Sequence, residues 1–258
     1  MKLRTKKVIY STCLAIMLTM IVGCGKKKEA VITYEGEDIT QASNEYETLS
    51  ISNADKFSYN DLAVDSVKYL MNEQAVKNSL GEPIAIYNSS EKQNTENVVK
   101  EKVYSYNDLT LIFSEIDGEY KLTAAASVSN QDVFSRGLKV GDNIDRVYDL
   151  YYRDVNCMNN EYYSEDKTTA LGKMLYGNFT IDALDTIKTT NKVEYGVINY
   201  NGYSSLETAA SYIIEFTYFE PPYKNGYAQI DDDFAQMSVD VDSDGTITGI
   251  RWYYYPQE

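Results

Sequence analysis

Histidine is absent from the 258 residues of this chain, and proline (four) and tryptophan (one) are scarce. Without histidine, Ser-His-Asp and Cys-His catalytic machinery and histidine-ligated zinc, copper or haem sites are excluded. Positive charge is also short: 24 Lys and Arg face 39 Asp and Glu, a formal charge of −15. A body of that sign repels nucleic acid and anionic lipid over most of its surface. Cysteine occurs only at 13, 24 and 157. The one long apolar run, Val8 to Val22, falls short of the roughly 20 residues that span hydrocarbon.

That run is informative through its flanks. Lys2, Arg4, Lys6 and Lys7 precede it, as a positive region precedes the core of an export signal. It closes in Ile21-Val22-Gly23-Cys24, which resembles the lipobox of bacterial lipoproteins. The resemblance implies that the Cys24 thiol takes a diacylglycerol and that cleavage falls before it. Two acyl chains matter, because one alone gives marginal, reversible attachment. The expected mature chain starts at Cys24. It keeps 20 basic and 39 acidic residues, a charge of −19, since the four lost basic residues have no acidic counterpart before position 24. Lys26, Lys27 and Lys28 then lie next to the lipid, where each adds about 1 kcal/mol of attraction to anionic headgroups. Cys157 becomes the sole free thiol, with no partner for an internal disulfide and no histidine to raise its thiolate fraction.

The expected organisation is a signal peptide over 1–23, a tether over 24–44, and two units over 45–135 and 136–258. Glu45 to Ser52 alternates weakly, as a first strand would. Asn72 to Leu80 reads as a short amphipathic helix capped by Asn72 and stopped by Gly81 and Pro83. Strands are expected at Val98–Tyr106, Leu109–Ile116 and Tyr120–Val128, with Asp117-Gly118 as a hairpin turn. A second helix is expected after Gly141-Asp142, with Ile144, Val147, Tyr148 and Tyr151 at i, i+3, i+4 and i+7. Tyr-rich strands follow at Met174–Phe179, Lys192–Asn199 and Ser211–Phe219. Phe234–Asp242, an Asp244-Gly245 turn and Thr246–Tyr255 complete the chain. The expected class is therefore α+β, in two repeats of a short helix region followed by an antiparallel sheet ending in a hairpin.

Val76-Lys-Asn-Ser-Leu-Gly-Glu-Pro83 and Arg136-Gly-Leu-Lys-Val-Gly-Asp142 resemble repeats in uncharacterised lipoproteins of Gram-positive anaerobes. More loosely they are similar to the helix-then-sheet modules of the outer-membrane assembly lipoprotein BamE (SmpA/OmlA) and of β-lactamase inhibitor protein. Tyr151-Tyr152 departs from that pattern, standing where tyrosine-glycine usually ends the second helix. The resemblance implies protein contacts at the envelope without catalysis, and it supplies no active-site residues.

Among chemical motifs, Asp240-Val-Asp242-Ser-Asp244-Gly245 matches the start of an EF-hand-type loop, making Asp240, Asp242 and Asp244 the metal candidates. The twelfth position is Arg251, which cannot ligate a cation, so a β-hairpin is the favoured reading over a weak calcium site that also draws on Asp231–Asp233. Ser89-Ser-Glu-Lys92 and Ser164-Glu-Asp-Lys167 fit S-x-x-K, and Ser58-Tyr-Asn60 and Ser105-Tyr-Asn107 fit S-x-N. No Lys-Thr/Ser-Gly triplet accompanies them, and both S-x-x-K segments read as polar loops. With 39 acids no pair stands out as a glycosidase dyad. The 25 tyrosines read mainly as a sheet built on tyrosine, with Trp252, Tyr253 and Tyr254 as the candidate binding stretch if an aromatic face is exposed. Glu220-Pro-Pro-Tyr223 reads as a loop. These residues point to an extracytoplasmic, membrane-anchored interaction or scaffolding module without cofactor, its partners the membrane and another envelope protein. A ligand-binding lipoprotein (glycan, peptide or calcium) is the alternative, and a carboxylate-only hydrolase the third reading.

Overall fold

The computed structural model describes residues 54–255, apart from 94–96, 155–156, 158–160, 164–167, 178–180, 183–185, 189–192, 204, 220–226 and 230–233. Cys24 with its lipobox, the tether, the Glu45–Ser52 strand, Ser164–Lys167, Glu220–Tyr223 and Asp231–Asp233 lie outside the described residues. Among the described residues no helix is long and apolar enough to cross a membrane.

Among the described residues there are two α-helices, α1 (Glu73–Leu80) and α2 (Ile144–Leu150). The Asn72 side chain accepts from the Ala75 N–H, satisfying a donor that the first turn leaves orphaned. Gly81 ends α1 with φ +84°, a backbone state that L side chains rarely adopt. The cap of α2 is Asn143, which accepts from Asp145 N, one residue beyond the expected Gly141-Asp142 cap.

The strands are β1 (Ala63–Val64), β2 (Val67–Lys68), β3 (Ala85–Gln93), β4 (Asn97–Tyr106), β5 (Leu109–Ile116) and β6 (Glu119–Ser127). They continue with β7 (Glu161–Tyr163), β8 (Ala170–Tyr176), β9 (Ile181–Asp182), β10 (Thr186–Lys188), β11 (Val193–Asn199), β12 (Ser211–Phe219), β13 (Tyr227–Gln229), β14 (Phe234–Asp242) and β15 (Ile247–Tyr255). Ten of them form one antiparallel sheet in the order β3-β4-β5-β6-β15-β14-β12-β11-β8-β7. The β5–β6 turn has positive φ at both Asp117 and Gly118, the backbone a two-residue hairpin favours because its twist matches the strands.

This overturns the expected α+β class with two helix-plus-sheet repeats. The chain is predominantly β, and ten strands drawn from both halves belong to a single sheet, with β1-β2 and β13-β10-β9 forming two small ones. The seam is β6 against β15, pairing Ala124, Ala125 and Ala126 with Tyr253, Trp252 and Arg251. Ala125 leaves room beside Trp252 on one face, and Ala124 and Ala126 beside Tyr253 and Arg251 on the other, where β15 adds to the first half's sheet. Ser89–Lys92, read as loop, lies within β3.

Alternation sorts the side chains onto two faces. Trp252, Phe216, Met237, Val239, Leu111, Phe113 and Leu122 join Phe57, Leu62, Val76, Val147 and Tyr151 in one continuous core on the helix side. The opposite face carries a smaller cluster of Ile112, Ala124, Ala126 and Tyr253, with Val103 and Tyr255 against it. Its cross-strand row runs Tyr87, Val103, Ile112, Ala124, Tyr253, Gln236, Thr217, Tyr195 from β3 to β11.

Candidate functional site

Among the described residues, an open cleft lies where the start of α1 faces β4 and the β5–β6 turn. Asn72, Glu73, Gln74 and Lys77 come from α1 and its cap, Tyr104 from β4, and Gly118, Glu119 and Tyr120 from the hairpin; the cleft encloses about 470 Å³. Even-numbered residues of β4 face the helix, so Lys102 and Tyr104 both meet Glu73. Lys102 Nζ donates to both Glu73 carboxylate oxygens at 3.0 and 2.8 Å, and the Tyr104 hydroxyl donates a short hydrogen bond to Oε1. The Lys102 ammonium also sits 3.8 Å from the Tyr120 ring centroid, within cation–π range. Lys77 pairs with Glu82 at 2.9 Å, so the two cations at the cleft are each neutralised by a carboxylate.

Electrostatics fix what this triad can do. Partial burial opposes ionisation of Glu73, but the hydrogen bonds from Lys102 and Tyr104 and the charges of Lys102 and Lys77 outweigh it. The carboxyl is held below its ordinary value. Burial first, then the hydrogen bond to the Glu73 carboxylate, pushes the Tyr104 phenol well up. Glu73 is therefore an anion and Tyr104 a neutral donor near pH 7, an arrangement that orders polar groups rather than one poised to exchange protons. No spacing rule signals this site in the sequence, because 29 residues separate Glu73 from Lys102. Only the alternation of Lys102, Tyr104 and Tyr106 in β4 hints at a shared face.

The candidates read from sequence are dispersed. Trp252 is wholly buried in the main core, and its indole N–H has no hydrogen-bond partner among the described residues. Tyr253 points to the opposite face and is buried as well. Tyr254 is half-buried on the helix side, 5.1 Å from the Tyr69 ring, in a group with Tyr59 and Tyr218. Consecutive strand residues alternate, so these three cannot share a surface.

The aspartates divide in the same way. Asp240 makes a short ion pair with Arg251 across the β14–β15 pair. Asp242 Oδ1 accepts from the N–H groups of Asp244 (3.0 Å) and Thr246 (2.8 Å), an Asx-type turn that closes the hairpin. Among the described residues no group of three or more Cys, Asp and Glu is placed to hold a metal ion. Cys157 is half-buried near Gly177 O. Burial, helped by Asp154, pushes its thiol up, away from the thiolate that reactivity needs.

Two ion-pair systems brace the fold. Arg136, in a left-handed backbone state (φ +59°), sends Nε and Nη2 to the two carboxylate oxygens of buried Asp61 at 2.7 and 2.8 Å. Its remaining donors reach the carbonyls of Asp55, Lys56 and Leu150, and its guanidinium lies 4.2 Å from the Tyr151 ring centroid. On the opposite face, half-buried Glu215 has its carboxyl raised by burial, against the Asn199 hydrogen bond and the Arg251 charge.

Comparison of the chain with protein-family models, with curated proteins and with solved structures finds no match in any of the three.

Proposed function

We propose that this chain is a lipid-anchored protein of the outer face of a bacterial membrane, acting as a non-catalytic interaction or scaffolding module for another envelope protein. The observation that carries the reading is the Ile21-Val22-Gly23-Cys24 sequence behind a basic, apolar leader. The absence of histidine from the sequence and the proton-retaining state of the Glu73–Lys102–Tyr104 cleft support a role in contact rather than turnover. Metabolic labelling with an alkyne palmitate in a lipoprotein-processing host tests it. The wild-type chain takes the label and fractionates with membrane, while Cys24→Ala loses the label. An unlabelled wild-type chain in the cytosol would overturn the reading.

A second reading has its own observation. The 470 Å³ cleft with Lys102, Glu73 and the Tyr120 ring suits a small polar ligand such as a glycan or a peptide end. Titration calorimetry with wall-derived glycans, repeated on Lys102→Met, separates it from the first.

A further inference from the structure

The two edges of the large sheet are built differently. At one end, β7 has only three residues and a register break at Tyr162/Tyr163, and Asp154 N–H donates to the carbonyl of Leu175 on β8 at 2.8 Å. Short strands, bulges and covering loops are the usual means of blunting an edge. At the other end, β3 pairs with β4 over nine consecutive residue pairs without a register break, and no described strand pairs its outer side. Ile84 continues the line, donating to Ser105 O at 2.8 Å. Large apolar groups crowd the start of this edge: Ile84 is 70% exposed, Ile86 46% and Tyr87 62%.

The geometry points to the Ile84–Asn88 edge as a β-augmentation site for an extended, cationic segment of a partner protein whose side chains alternate apolar and polar. This rests on the reading of the chain as an interaction module and names its surface. An added strand takes up the outward backbone groups, with its apolar side chains beside Ile84 and Ile86 on the helix face and its polar and cationic ones beside the Tyr87 ring on the other. Charge selects the occupant: the chain carries −15, which steers cations toward it and opposes a second copy, and the carboxylate flanking the start of the edge, Glu82, is already paired with Lys77. A flexible segment can wrap both faces.

Phage-displayed random dodecapeptides selected on the purified full chain in detergent test the assignment. Enriched peptides are expected to be net positive and to alternate apolar with polar residues. A synthetic copy should slow amide exchange at Ile84–Asn88 at least tenfold. The double variant Ile86→Lys, Tyr87→Lys should weaken that peptide at least tenfold at unchanged circular dichroism and melting, while Tyr163→Lys at the other edge should not. Failure to enrich, or protection elsewhere, overturns the assignment. A dimer in sedimentation that protects the same amides also overturns it, handing the edge to a second copy. Palmitate labelling at Cys24 is read separately, so loss of the anchor and loss of the edge are distinguishable.

Discussion

The helix-side face of the sheet and the face opposite differ in how each is filled. On the helix side, Trp252, Phe216, Met237 and Leu111 pack with helix and N-terminal residues into one cluster, and the charge beside it, Asp61, has a guanidinium matched to both its oxygens. On the other side a few apolar residues share space with Arg251, Glu215, Asp240 and a Ser114–Thr123 hydroxyl pair at 2.7 Å. Dry packing leaves little freedom for a side chain to change state. A mixed face keeps groups whose ionisation follows the solvent.

The sharpest break comes from neighbours on one strand. Trp252→Ala empties the largest fully buried side chain and should cost about 4 kcal/mol in urea unfolding, in the range for buried aromatics. Tyr253→Ala, on the smaller cluster, should cost clearly less; equal losses would abolish the distinction between faces. Next in size, Asp61→Asn leaves Arg136 without its counter-charge and should cost about 3 kcal/mol, as when one member of a buried pair is removed.

The smallest effect concerns pH. Glu73 is held below its ordinary value of 4.5, so its contribution is complete above about pH 4.5 and fades as pH falls through the folded-state value. Glu215 is raised above 4.5, so its ionisation weighs against the folded state at neutral pH, and acidification toward 4.5 relieves that cost. Urea midpoints from pH 7 to 3 should show Glu73→Gln losing about 1 kcal/mol near neutrality and flattening the acid limb. Glu215→Gln should instead remove a rise in stability on mild acidification.

Local signals were legible where a few adjacent residues decide the structure. Asn72 and Gly81 bracket α1, Asp117-Gly118 turns β5 into β6, and β12 and β14 have the bounds that their alternation suggests. Long-range pairing was not legible. Tyr120–Val128 reads as a strand, but nothing local says that Ala124–Ala126 pair with Arg251–Tyr253, so two repeats were expected where one ten-stranded sheet forms. Polar β3 reads as loop because an edge strand needs no buried alternation on either face. The Trp252–Tyr254 stretch was attractive for its size and composition, but its burial depends on residues such as Tyr59 and Tyr69, nearly two hundred positions away. Glu73 and Lys102 likewise become neighbours only once α1 lies over β4.

Arg136 has a mechanical consequence. It grips the carbonyls of Asp55 and Lys56 and the carboxylate of Asp61 while holding Leu150 O at the end of α2. Tension applied to the chain ahead of residue 54 is therefore shared between this knot, the Lys56–Glu194 ion pair to β11 (2.6 Å) and the Phe57 N–H bond to the Tyr176 hydroxyl on β8 (3.2 Å), several bonds in parallel. A body pulled from that side would load these bonds together, so no single strand would be peeled from the sheet alone.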